Sequence, residues 1–466
     1  MIRIALILIV AAAWEAGLAA QDSPLAAEHA DKAAELVRRG DLKGAEAELR
    51  TAVSLAPRDP DLLTSLGGVL GLEGDLRQAN VYLARAVHLK PRDPLMLRNL
   101  AANEWQLGRL SEAHQHLDQL LQANPSDKGA AFLLGMVCEN QKEYARSIAL
   151  LDSIPDVVER RPEALVALAS SYYHTDHRED AASVLKKLAG MSTTPQVKFM
   201  AARVAMEAQE YAIAESLLSP IKSDYADPAA VTAQLALAQY RQGHSADSER
   251  TLHEAFEAGH VNQEAYLLLC KLLADRGEYP QALHLATEAV QRFPGFYEAL
   301  STKGALEMKL EYFSAAVATL KKAAELRPSS TAQRELALAE WRAGNRAEAI
   351  TGFEEAIRQF PDDADNYQTY GTLLLEDASS QSRSRAIQLF QRAVALDGAA
   401  VEAHFQLANL ALADGRLQEA LQHLDQALPA APGDSRLHFA LSRVYRRLGR
   451  DADADREMEE YRRLKK

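Results

Sequence analysis

From Pro60 to Asp93 the apolar residues Leu63, Leu66, Val69 and Leu70 recur at helical spacing, then stop at Gly74-Asp75, a turn signal. A second helical pattern follows through Ala79, Leu83, Ala86 and Val87, and Pro91 ends it. Each helix alone would leave an apolar stripe in water, so the pair must stack on a neighbour. The neighbours are visible as a period. Gly40, Gly74 and Gly108 stand 34 residues apart, as do Ala45, Ala79 and Ala113, and Pro57, Pro91 and Pro125.

A helix–turn–helix unit of this length, with Leu66-Gly67 in the first helix, small Ala79 and Ala86 in the second and a closing Pro91, resembles a tetratricopeptide repeat. The resemblance implies an all-α fold, a right-handed α-solenoid (superhelix) of antiparallel helix pairs. First helices are predicted to begin near Ala26, Pro60, Pro94, Lys128, Pro162, Pro195, Ala229, Gln263, Tyr297, Ser330, Ala364, Val401 and Ser435, about thirteen pairs over residues 25–466. In the copy from Tyr297, Gly304, Ala316, Leu320, Ala323 and Pro328 keep the register.

Departures from the register carry their own expectations. Between Cys138 and Tyr225 the turn glycines give way to Lys142, Asp176 and Gln209, and the closing Pro is missing. This degenerate stretch, residues 138–225, reads as a softer or differently curved middle. About three extra residues within Ala378 to Arg385 predict a mobile loop between helices. The last unit, residues 435–466, interleaves Arg436, Arg443, Arg446, Arg447, Arg450, Arg456, Arg462 and Arg463 with Asp451, Asp453, Asp455, Glu457, Glu459 and Glu460. It reads as a charged cap, with a basic docking end as the alternative.

Residues 1–20 stand outside the period. Arg3, the apolar run Ile4 to Trp14 and the small residues Gly17-Leu18-Ala19-Ala20 before Gln21-Asp22 resemble a secretory signal peptide. The expectation is an exported protein, periplasmic or secreted, with tethering by an uncleaved N-terminal segment as the alternative. The apolar run is too short for a comfortable span, and no later stretch is apolar enough to cross a membrane.

A repeat array removes the usual size limit of a single core, so 466 residues need not divide into globular domains. Ala, Leu, Glu, Arg and Gln dominate and aromatics make up 6%, as a helical chain requires. The net charge of −13 argues against a phosphate-tracking surface and so against nucleic acid as a partner. Cys138 and Cys270 lie about four repeats apart in apolar helices and read as small buried hydrophobes.

No catalytic constellation, phosphate loop or zinc-spaced cysteine pair is present in the sequence. His253-Glu254-Ala255-Phe256-Glu257 starts like a zinc-protease helix but ends in Glu where the second His belongs. His114 and His116 are two apart on a helix and point to different faces, and His174 and His177 flank a turn with no further ligand nearby in sequence. Gly67, Gly68, Gly71 and Gly74 follow no strand, and Pro125 disqualifies Asn124 as a glycan acceptor. Neither a cofactor nor a metal is expected, and the protein is not expected to be an enzyme.

What remains is a groove. The resemblance implies that positions 2, 5, 9 and 12 of each first helix face a ligand on the concave side. Those positions hold Arg98 and Trp105, Phe132, Tyr173, then Phe199, Arg203 and Met206, Tyr240, Met308, Arg334 and Trp341, and finally Phe405, Asn409, Phe439 and Arg443. Aromatics and Arg are the residue types that carry interface hot spots, although each could instead pack on the next repeat. The clamp that some relatives use for chaperone C-termini is not expected, because Thr64 and Gly68 stand where Lys and Asn belong. The sequence therefore predicts a non-catalytic scaffold for a protein or peptide partner, in a cell-envelope setting by analogy alone. The alternatives are a periplasmic chaperone for unfolded chains and a helical-repeat RNA binder.

Overall fold

The computed structural model describes residues 23–377 and 379–465. The segment expected to be a signal peptide lies outside them. The described residues form 27 α-helices, one short 3-10 turn at Ser219–Ile221 and no strand. They divide into two compact units, at His260.

The first unit holds α1 (Pro24–Arg38), α2 (Leu42–Leu55), α3 (Pro60–Glu73), α4 (Leu76–Leu89), α5 (Pro94–Gln106), α6 (Leu110–Ala123), α7 (Lys128–Asn140), α8 (Tyr144–Asp152), α9 (Pro155–Val158), α10 (Pro162–His174), α11 (Arg178–Gly190), α12 (Pro195–Glu207), α13 (Tyr211–Leu218), α14 (Pro228–Arg241) and α15 (Ser245–Ala258). The second holds α16 (Gln263–Asp275), α17 (Tyr279–Arg292), α18 (Tyr297–Lys309), α19 (Phe313–Leu326), α20 (Ser330–Arg342), α21 (Arg346–Gln359), α22 (Ala364–Leu374), α23 (Ser380–Leu396), α24 (Val401–Ala413), α25 (Leu417–Ala427), α26 (Ser435–Arg447) and α27 (Asp451–Leu464). Within each unit, apart from the short α9, successive helices pack on one another.

Local chemistry starts and stops each helix. Asp59, Asp93 and Asp127 accept backbone N–H bonds at the starts of α3, α5 and α7, and Pro60 and Pro94 fill first-turn positions whose N–H would have no partner. Gly74 closes α3 at φ 92°, a left-handed conformation that glycine adopts without steric cost. The apolar stripes then close on one another. Leu49, Leu66, Leu83 and Leu117 are all but fully buried, and burial of a side chain this size contributes about 1.5–3 kcal/mol.

The structure details the degenerate middle and changes the expectation for the insertion. Lys142, Asp176 and Gln209 adopt φ of 65°, 62° and 61°, so the degenerate middle keeps the turn that glycine makes elsewhere. What distinguishes it is α9 and the 3-10 turn, extra pieces that follow α8 and α13. The extra residues near Ser380 are helix rather than loop. Ser379 caps α23 through the Ser382 N–H, and Asp377 accepts from the Ser382 hydroxyl at 2.6 Å. The insertion lengthens that helix to 17 residues, against 14 in α21.

The charged C-terminal helices neutralise themselves. Arg446 pairs with Asp455, Arg450 with Asp453 and Arg463 with Glu460, each at 2.6 Å, and Arg447 donates to the Leu412 carbonyl at 2.6 Å. A solvated cap accounts for these residues better than a free basic surface.

Candidate ligand face

The expected ligand positions recur along the first helices, and the structure sorts them by register. At position 5 the side chains reach forward to the start of the following pair. Arg98 Nη2 meets Asp127 Oδ2 at 2.6 Å. Arg334 stands 3.4 Å from Asp363 and 3.6 Å from Asp365. Phe132 is buried with the Arg161 guanidinium 4.2 Å above its ring, and burial lowers the Arg161 pKa. Phe199 stacks on Tyr225 with ring centroids 4.5 Å apart, and Phe405 lies beneath Arg436 at 5.0 Å. These contacts link one repeat to the next, so part of this face serves packing.

The tryptophans at position 12 do the same. Trp105 is 8% and Trp341 4% exposed. Trp105 Nε1 donates to Asn140 Oδ1 at 2.8 Å, and Trp341 Nε1 to Glu376 Oε2 at 2.9 Å. In both, the acceptor lies 35 residues on, in the next repeat. Arg346 caps the second indole at 3.8 Å. The exposure expected of these indoles is therefore not found: each is wide enough to reach across to the following helix pair and be covered by it.

Other members of the set remain open. Arg203 and Arg443 are exposed, and Tyr173, Tyr240, Met206, Met308 and Asn409 are half-buried. Phe439 is 41% exposed, with Tyr461 at 5.2 Å and the Arg443 guanidinium at 6.0 Å. In the second unit Phe405 and Asn409 of α24 and Phe439 and Arg443 of α26 occupy matching positions in consecutive first helices.

Two further features have no sequence signature. Between α19, α20 and α21 lies a depression of about 500 Å³, floored by Ala324, Leu336, Ala337 and Gly352 and rimmed by Glu325, Glu340 and Glu348. In the first unit, His114, Cys138 and Glu143 bring ligand atoms within 4.8 Å of one another. Their helices are identifiable from the period, but the juxtaposition depends on how one pair is rotated onto the next. Both cysteines are free and buried, and burial pushes each thiol up to about 12. Among the described residues, no helix is long and apolar enough to cross a membrane.

The comparisons with known proteins agree with this architecture. Tetratricopeptide-repeat profiles match residues 98–164, 233–296 and 301–364, and a second such profile matches 379–443 and 411–464. No curated protein matches the chain. Similar solved structures include yeast Tom70, 17% identical over 94% of this chain and 92% of that one with a TM-score of 0.47. The Cut9–Hcn1 heterotetramer of the APC/C is 14% identical over 98% and 96%, with a TM-score of 0.38. A tetratricopeptide repeat protein from Parabacteroides merdae is 18% identical over 61% and 100%, with a TM-score of 0.34. Proteins of this kind are generally non-catalytic scaffolds for protein–protein interaction. With the profiles together spanning more than half of the residues, and paired helices throughout the matched segments, the chain belongs to the tetratricopeptide-repeat family.

Proposed function

We propose that the protein is a non-catalytic scaffold of about thirteen repeats that binds a protein or peptide partner along its first-helix face, outside the cytoplasm. The observation that carries this reading is Phe439. It stays 41% exposed, whereas Phe405, at the same position one repeat earlier, is covered by Arg436. An open aromatic beside an exposed Arg443 is the composition of a binding hot spot, and Asn409 adds a half-buried amide at the position matching Arg443. In the first unit Arg203 is exposed and Tyr173 half-buried at their ligand positions. The packed residues Trp105, Phe132 and Trp341 hold the face in shape, and Arg98 and Arg334 fix one repeat on the next.

Export rests on Arg3, the apolar run to Trp14 and the small residues at Ala19-Ala20. Mass spectrometry of the native protein is expected to find its N-terminus near Gln21, and an intact Met1 on protein recovered from the cytoplasm would sink that part. For the face, the partner set captured from the exported fraction by the wild type is compared with that of Phe439→Ala, Arg443→Ala. Loss of specific partners with an unchanged melting temperature is expected. An unchanged set means the ligand binds elsewhere.

A further inference from the structure

His114 projects from α6 with Asp118 one turn further along. Its Nε2 lies 3.3 Å from Asp118 Oδ2. From the next repeat come Cys138, in the last turn of α7, and Glu143, just before α8, with Cys138 Sγ 3.8 Å from Glu143 Oε2. Four donors around a tetrahedral zinc ion would be separated by about 3.3 Å for a nitrogen–oxygen edge and about 3.5 Å for a sulfur–oxygen edge, given the usual bond lengths. The Cys138–Glu143 separation of 3.8 Å approaches such an edge, and donor atoms of His114, Cys138 and Glu143 lie within 4.8 Å of one another, so three donors converge while Asp118 stands beside His114.

The tautomer is also fixed. His114 Nδ1 is 2.7 Å from Gln141 Oε1. An amide oxygen only accepts, so Nδ1 carries the proton and Nε2 presents its lone pair to the cluster. His116, two residues on, turns away to Glu104 at 2.8 Å.

A cation already stands there. Arg146 Nη1 is 2.7 Å from His114 Nε2, its other nitrogen is paired with Asp118, and it lies 4.0 Å from Glu143. The guanidinium thus satisfies the lone pair and carboxylates that would otherwise face a metal. Its side chain is 43% exposed, so it has a way out to water, and an ion has a way in past Asp118 and Glu143.

We propose that His114, Cys138 and Glu143 form a binding site for a divalent transition-metal ion of the zinc class, with Asp118 standing beside His114 and the ion exchanged against the Arg146 guanidinium. Nitrogen, thiolate and carboxylate donors suit zinc and cobalt over magnesium or calcium, which prefer oxygen alone. The ion bonds to His114 Nε2, Cys138 Sγ and a Glu143 carboxylate oxygen, with water in the open position, and the Cys138 thiol gives its proton to bulk water as the metal–sulfur bond forms. Uptake is therefore tighter at higher pH. Bound there, the metal ties the helix pair α5–α6 to the pair α7–α8.

The test is a titration of the reduced, chelator-stripped full chain with Co(II), read as thiolate-to-cobalt absorption. Stoichiometric binding is expected in the wild type. The absorption is expected to disappear in Cys138→Ser and in His114→Gln, with helical content checked by circular dichroism, and to persist in Cys270→Ser. Gln141→Leu, which frees the His114 tautomer, is expected to weaken binding about 10- to 100-fold. Arg146→Ala removes the competing cation and is expected to tighten it severalfold. Absence of the absorption in both wild type and Arg146→Ala would overturn the site, as would its survival in Cys138→Ser.

Discussion

A Cβ placed on Gly67 would lie 2.6 Å from Cγ of Leu83, so the first helix of this repeat meets its second at a distance that no larger side chain allows. The relationship recurs between Gly135 and Leu151 at 2.7 Å and between Gly304 and Leu320 at 2.5 Å. Elsewhere the same position holds Ala101, Ala169, Ala202 or Cys270, all buried, which explains why a cysteine is tolerated there.

Gly67→Ala sets two effects against each other. A helical Gly→Ala change gains about 1 kcal/mol in propensity, while overpacking a filled core costs about 1–3 kcal/mol. The atom met is the branch carbon of Leu83, which cannot swing aside as a chain end could. The clash is therefore expected to win, lowering the denaturant midpoint. Adding Leu83→Ala should open the space, so the double variant is expected to show a coupling of at least about 0.5 kcal/mol. A raised midpoint in the single variant would mean that the helices are not in close contact here.

Trp105 and Trp341 behave as staples between repeats. Truncating a buried indole costs about 3–5 kcal/mol, so Trp105→Ala and Trp341→Ala are expected to lower the melting temperature sharply. Asn140→Ala, which removes only the hydrogen-bond acceptor of Trp105, is expected to cost about 1 kcal/mol. Calorimetry of the three variants decides the point. A wild-type melting temperature in Trp105→Ala would return that residue to the ligand face.

Much of the fold was legible in the sequence, for a particular reason. The period repeats the same local signals, so Pro60, Pro94, Lys128, Pro162, Pro195 and Ser435 each begin a helix where the register places them. Ser380 to Arg385 misled, because a serine-rich insertion looks like a loop until Ser379 and Asp377 are seen capping it. The candidate face was less legible. Register identifies position 12, but whether Trp105 meets solvent or Asn140 depends on the rotation between successive pairs. The cluster around His114 was hidden for the same reason, since its donors come from different helices.

Lys142 and Gln209 hold φ of 65° and 61°, a conformation that costs a residue with a Cβ about 1–2 kcal/mol. Lys142→Gly and Gln209→Gly relieve that strain at positions where other repeats already carry glycine, although a more flexible unfolded chain offsets part of the gain. Each is expected to raise the denaturant midpoint by an amount equivalent to about 0.5–1 kcal/mol. Destabilisation in both would show that these turns do not hold the left-handed conformation in solution.

The C-terminal repeats carry a histidine relay with a definite acid response. His404 Nε2 donates to the Gly398 carbonyl at 3.2 Å, leaving its Nδ1 to accept from His423 Nδ1 at 3.0 Å. Burial lowers the pKa of both from the ordinary 6.5, and the charge of His404 lowers His423 further. Asp397 beside His404 and Glu419 beside His423 oppose the shift, while Arg416 reinforces it, and burial prevails. The folded state therefore favours the neutral pair, whereas the unfolded chain takes up protons as the pH falls through 6.5. Stability from this pair is present above that value and is lost below it, toward the lower folded pKa values. His438 acts in the opposite sense. Although burial alone would lower it, the Pro432 carbonyl and Glu457 raise it, so its contribution is present at low pH and lost as the pH rises through its folded pKa. Replacing the first pair with His404→Gln, His423→Gln isolates its share. Between about pH 7.5 and about pH 5.5, the interval in which an ordinary histidine titrates, the double variant is expected to lose less melting temperature than the wild type. An equal or larger loss would show that the pair is protonated in the fold and that the acid response arises elsewhere.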